Sequence, residues 1–229
     1  MRDFSTVEQA IEIVFKDKHL LEKVFIHRSF LNEYNEAPES NERLEFLGDA
    51  VLELVATEFL YKKYRQMTEG ELTAVRSALV RREHLAAAAK ELDLGSRLLL
   101  SRGEALSGGS QKDYILANTV EALIGAIYLD QGMKAAEVFI NKYLLHDVED
   151  IVGQKLYVDS KSKFQEIAQD VLGITPHYSM IANEGPDHDK KFIMGLFLQH
   201  EKVSEGTGTS KRKAEEDAAF NGLVAKKWL

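Results

Sequence analysis

The chain has 229 residues, 45% of them apolar, with no cysteine and a formal charge of −8. That is enough apolar material for one large core or two smaller ones, and the lack of cysteine excludes disulfides, thiolate zinc sites and a cysteine nucleophile, in keeping with a reducing compartment. The amino terminus has no apolar core of signal-peptide length and no later run would span a bilayer, so the expected setting is cytoplasmic, with no membrane partner.

Residues 1–155 hold 19 Lys+Arg against 26 Asp+Glu, and residues 156–229 hold 10 against 11. Neither part is basic overall, so any contact with nucleic acid must come from a local cluster.

From Phe4 to Tyr143 apolar residues recur every three or four positions, the pattern of helices. Residues 7–15 and 20–26 read as short helices, and His27-Arg28-Ser29-Phe30 precedes a polar loop through Pro38 and Glu39. Ser40 or Asn41 caps the next helix, which runs to about Tyr64. Within it Glu42, Glu45, Asp49 and Glu53 share about one quarter of the circumference, while Leu44, Leu47, Val51, Leu54 and Val55 cover much of the rest. A carboxylate row beside an apolar face is costly to desolvate unless water, a cation or a basic partner compensates it. Two readings compete: a solvated helix edge, or a site where a hard divalent cation collects carboxylate oxygens. A second acidic helix would decide between them.

Residues 72–92 read as one helix, ended by Gly95. Residues 101–109 are glycine-rich, either a flexible connector or a functional loop. Residues 114–129 form a helix with Asn118 and Glu121 one turn apart beside small Ala122 and Gly125, a second polar patch whose first member is an amide. Residues 149–158 read as a linker. Beyond it the period changes: 162–172 is helical, 178–182, 192–198 and 201–206 alternate like strands, and 211–227 is helical again. This αβββα unit packs one face of an antiparallel sheet on two helices.

The run Asn41-Glu-Arg-Leu-Glu-Phe-Leu-Gly-Asp-Ala-Val-Leu resembles the signature of bacterial ribonuclease III. The likeness continues in Glu69-Gly-Glu-Leu, in Gly103-Glu-Ala-Leu-Ser-Gly-Gly and in Leu116-Ala-Asn-Thr-Val-Glu-Ala-Leu-Ile-Gly. Lys163-Phe-Gln-Glu, Gly185-Pro-Asp-His and Gly206-Thr-Gly-Thr-Ser-Lys-Arg-Lys-Ala-Glu are similar to a double-stranded-RNA-binding domain. The resemblance implies a mostly α nuclease domain over 1–148, a linker over 149–158 and a small α+β double-stranded-RNA-binding domain over 159–229. It also implies a homodimer in which Phe46 enters a socket on the partner; on the residues alone, Phe46 reads as an ordinary core aromatic.

By the same resemblance Glu45, Asp49, Asn118 and Glu121 surround Mg²⁺, with Mn²⁺ as a substitute, and Glu42 supports the site. The implied reaction is cleavage of double-stranded RNA to 5′-phosphate products with short 3′ overhangs, of the rRNA and mRNA processing type. Asn118 departs from the family, which ordinarily has aspartate there; the amide keeps one oxygen but loses the charge. Three accounts stay open: an introduced change that slows cutting, a natural variant of reduced activity, or a dimeric regulator that binds duplex RNA without cutting it. The first is favoured, because Glu42, Glu45, Asp49 and Glu121 are all present.

For the duplex itself, the resemblance implies that Gln165, Glu166 and Gln169 face one minor groove and His188 the next, with Ser210, Lys211, Arg212 and Lys213 on the phosphates between them. On the residues alone the three cations read either as solvated surface charge or as an anion site, since they open a helix whose N–H groups are unpaired. Glu215 stands where many such domains carry lysine.

Overall fold

A computed structural model describes residues 4–33, 39–155, 157, 159–186 and 190–228. It divides into two compact units, Met1–Tyr157 and Val158–Leu229.

The first unit is helical. Helices α1 (Ser5–Ile11), α2 (Lys18–Val24) and the single turn α3 (Arg28–Leu31) lead into α4 (Glu42–Lys63). Asn41 does not cap α4 with its side chain; it is buried and donates instead to the Val24 carbonyl at 3.0 Å. Ser40 Oγ accepts the Glu42 N–H at a long 3.4 Å. The apolar face of α4 contributes Leu44, Val51, Leu52, Val55 and Leu60 to the core. Phe46 is not among them: it is 81% exposed, which overturns its reading as a core aromatic.

The single helix expected over 72–92 is two, α5 (Glu69–Leu79) and α6 (Arg82–Glu91). Thr68 and Glu71 close a capping box at the start of α5, and Arg81 leaves the helical region at φ −65°, ψ 151°. No Gly or Pro marks this break. The change of direction lets Val75 and Leu79 on one helix and Leu85 and Ala89 on the other all reach full burial, so packing overrides local propensity.

The glycine-rich stretch is folded. Ser101 accepts from the Glu104 N–H to start α7 (Arg102–Leu106), a 3₁₀ turn covers Gly109–Gln111, and Lys112 pairs with Glu104 at 2.6 Å. Gly108 takes φ +75°, open to glycine at little cost. Helix α8 (Asp113–Gln131) then crosses the centre of the unit, its residues Ile115–Ala117 and Ala122–Ile127 buried, and α9 (Met133–Tyr143) packs beside it. Part of the expected linker is also helical: α10 (Val148–Gly153) buries Val148 and Ile151 in the core of the first unit.

The second unit runs α11 (Ser160–Leu172), β1 (His177–Glu184), β2 (Lys191–Leu198), β3 (Glu201–Gly208) and α12 (Lys211–Lys226). The sheet is antiparallel in the order β1-β2-β3, with Met180 opposite Met194 and Met194 opposite Gly206. Its helix-facing side joins Phe164, Ala168, Leu196, Leu198, Ala218 and Leu223 in a core separate from that of the first unit. No described helix is long and apolar enough to cross a membrane.

Candidate functional site: an acidic junction of two helices

Helices α4 and α8 meet through glycine. A Cβ on Gly48 would stand 1.7 Å from the Glu121 carbonyl oxygen, and one on Gly125 would stand 2.3 Å from that of Leu44. Only hydrogen at both positions permits this approach. The side chains flanking the contact, Glu45 and Asp49 from α4 and Asn118 and Glu121 from α8, are thereby brought to one place.

Their electrostatics report the proximity. Burial pushes the Glu121 carboxyl up to about 7, and the charges of Asp49 and then Glu45 push in the same direction. Burial also raises Glu45, with Glu42 and Asp49 adding to the rise, while the Asn118 amide donates to its carboxylate and holds it down, as does Arg28. Glu42 is exposed, accepts from Ser40 Oγ at 2.9 Å and lies 3.7 Å from Arg28.

The fourth acid of the row does not join them. Glu53 forms an ion pair with Arg76 of α5 at 2.9 Å, which removes it from the junction. That partner was invisible in the helical spacing, which orders residues on one helix and says nothing about its neighbours.

The donor set suits a hard cation. Carboxylates that raise one another's pKa are relieved by positive charge, and Mg²⁺ binds through one or two carboxylates while keeping several waters. Among the described residues no three His, Cys, Asp or Glu side chains form a ready-made metal cage.

In the second unit Gln165, Glu166 and Gln169 are exposed on α11, and Gln169 donates to Thr175 Oγ1 at 3.2 Å. Ser210 caps α12 by accepting the Lys213 N–H at 3.3 Å, and Lys211, Arg212 and Lys213 are exposed on its first turn. Glu215, at the position where many such domains carry lysine, is paired with Lys161 of α11 at 2.5 Å. His188 lies outside the described residues.

An acidic centre on two helices, followed by an αβββα unit with a cationic helix start, is the plan of a nuclease with its own nucleic-acid-binding module. Residues 17–148 match the family described as ribonuclease-III-like, and residues 160–223 match the double-stranded RNA binding motif. The chain is 40% identical over 222 residues to ribonuclease 3 of Bdellovibrio bacteriovorus, covering 96% of this chain and 95% of the relative. It is 43% identical over 213 residues to ribonuclease 3 of Streptococcus mutans, covering 93% and 92%. A solved nuclease domain of ribonuclease III from Campylobacter jejuni, described for structural flexibility in a region involved in dimer formation, is 40% identical with a TM-score of 0.58, over 65% of this chain and 97% of that one. The chain therefore belongs to the ribonuclease III family of double-stranded-RNA endonucleases.

Proposed function

We propose that this chain hydrolyses phosphodiester bonds of duplex RNA with Mg²⁺, as a cytoplasmic homodimer, at a rate lowered by Asn118. In this reading residues 1–148 carry the chemistry, 149–158 link, and 159–229 hold the duplex. The observation that carries it is the glycine-permitted contact of α4 with α8, which sets the half-buried Glu121 beside Asp49 and Glu45.

Glu45, Asp49, Asn118 and Glu121 would hold Mg²⁺ or Mn²⁺, which would supply neutralisation of charge on the phosphoryl oxygens and acidify bound water. The protein's part is to gather the anions. A cation here would favour the ionised form of Glu121, since positive charge offsets the cost of burying its carboxylate and the repulsion from Asp49 and Glu45. Glu42, fixed by Ser40, supports the site through water. Water attacks phosphorus, forming one P–O bond as the bond to the ribose 3′ oxygen breaks; that oxygen leaves as a hydroxyl, a 5′-phosphate remains, and two such centres in a dimer cut both strands with short 3′ overhangs. Phe46, Leu54 and Tyr61 lie on one stripe of α4, 81%, 55% and 73% exposed, an apolar face that favours burial against a second copy.

Asn118 donates to Glu45 where an aspartate would repel it, so the amide eases the metal-free protein and weakens the hold on a cation. Loss of a group that supports metal ligands costs about 10–100-fold, and loss of a ligand's charge should cost at least as much. The test compares Mg²⁺-dependent cleavage of duplex RNA by this chain and by Asn118→Asp. A gain of at least about 10-fold in the aspartate variant is expected. Equal rates would remove Asn118 from the metal's surroundings, and duplex protection without product from both proteins would favour the non-cleaving regulator.

A further inference from the structure

Among the described residues the one ion pair of Arg28 is with Glu42, at 3.7 Å, and the two side chains are 72% and 54% exposed. So long a pair in water contributes little and exchanges readily. The backbone beneath it, by contrast, is held at many points. The Asn41 N–H donates to the Ile26 carbonyl at 2.8 Å, the His27 N–H donates to the Leu99 carbonyl at 3.1 Å, and the buried Asn41 amide reaches Val24. Ser29 Oγ lies 2.8 Å from His27 Nδ1 and accepts the Ser101 N–H at 3.1 Å. Phe30 is buried. These bonds fix the base of Arg28 against both the start of α4 and the segment leading to α7.

The guanidinium also belongs electrostatically to the acidic junction. Its partner Glu42 shares the first turn of α4 with Glu45, which places the guanidinium beside the acidic row. A phosphodiester approaching Glu42, Glu45, Asp49 and Glu121 meets like charge, and a guanidinium fork, which matches the paired oxygens of a phosphate, offsets it. A rigid base, a loosely engaged head and a position beside the site are the features of a contact that waits for a ligand.

We propose that Arg28 is a substrate-phosphate contact of this site, exchanging Glu42 for a backbone phosphate of the bound duplex. The assignment rests on the duplex-RNA reading above. Phosphate contacts release counterions, so each one removed flattens the dependence of log affinity on log salt by about 0.7–0.9. The experiment measures fluorescence anisotropy of the full chain with a labelled RNA duplex of about 25 base pairs, in EDTA, across a KCl series. Arg28→Gln is expected to flatten the slope by about 0.7–0.9, and Arg28→Lys, which keeps the charge, to retain it. Arg43→Gln serves as the control for net charge, because Arg43 is 84% exposed and sits 3.8 Å from Glu39 on the same stretch of chain; its slope is expected to stay at the parent value. An unchanged slope in Arg28→Gln, or equal flattening by Arg43→Gln, overturns the assignment of Arg28 while leaving the duplex reading intact. Failure of the parent chain to bind the duplex overturns that reading and the assignment with it.

Discussion

Gly48 of α4 faces the backbone of Glu121 so closely that an added Cβ would stand 1.7 Å from its carbonyl oxygen and 2.8 Å from the Gly125 nitrogen. Both obstacles are main chain in the middle of a buried helix, so a methyl there separates the helices and pulls the acidic side chains apart. Gly48→Ala is expected to destabilise the protein by about 2–3 kcal/mol and to lower Tm by roughly 5–10 °C. Gly70, on the first turn of α5, has nothing within 4 Å of such a Cβ. The same substitution there is expected to be neutral or to stabilise by up to about 1 kcal/mol. Thermal unfolding by circular dichroism compares the two, and similar melting points would contradict the glycine contact.

Glu121 ties stability to pH. Its carboxyl is raised from 4.5 to about 7 by burial first and then by Asp49 and Glu45. A raised acid keeps its proton in the folded state after the unfolded chain has lost it. Its contribution is therefore fully present below 4.5 and is lost as pH climbs through about 7. Glu121→Gln, measured in EDTA by denaturant unfolding, is expected to match the parent near pH 4.5 and to exceed it by about 1–2 kcal/mol near pH 8.5, after allowance for solvent screening. A gain of the same size at both pH values would assign the effect to shape and not to charge.

The acidic helix and the patch at Asn118 and Glu121 were legible in sequence because helical spacing reports which residues share a face. Spacing does not report what lies opposite. The departure of Glu53 to Arg76 and the pairing of Glu215 with Lys161 both depend on a second helix. Gly48 and Gly125 read singly as weak helix formers, and their spacing along one helix does not name the backbone that each faces. The break at Arg81 carries no Gly or Pro, and Gly153, which read as part of a linker, is the last residue of α10; both elements follow from burial. Phe46 is the clearest lesson: an aromatic within an apolar helix reads as core, yet it is 81% exposed.

That exposure has a consequence for assembly. With Leu54 and Tyr61, Phe46 lays an apolar stripe on the surface of α4 that a second copy would cover. In the homodimer proposed above, Phe46→Asp is expected to shift sedimentation at micromolar protein from dimer toward monomer, with far-ultraviolet circular dichroism unchanged because the side chain lies outside the core. Glu12→Gln, which removes a surface partner of Lys142, is expected to leave the sedimentation unchanged. A dimer that survives Phe46→Asp would place its interface elsewhere.

Lys161 holds Glu215 at 2.5 Å and stands 5.0 Å over the ring of Tyr178, whose hydroxyl is pushed up to about 12 by burial and then by Glu215 and Asp159. The pair is half-buried, at 34% and 23% exposure, so removing the lysine alone strands a carboxylate beside the cationic start of α12. Lys161→Met is expected to cost the second unit about 1–2 kcal/mol, read as faster hydrogen exchange of α12 amides, and to weaken duplex RNA binding by roughly 2–5-fold. Adding Glu215→Gln removes the stranded charge and is expected to restore both quantities. Should Lys161→Met bind duplex RNA as tightly as the parent with α12 exchange unchanged, the lysine neither neutralises Glu215 nor braces the helix, and the anion at this position is tolerated for another reason.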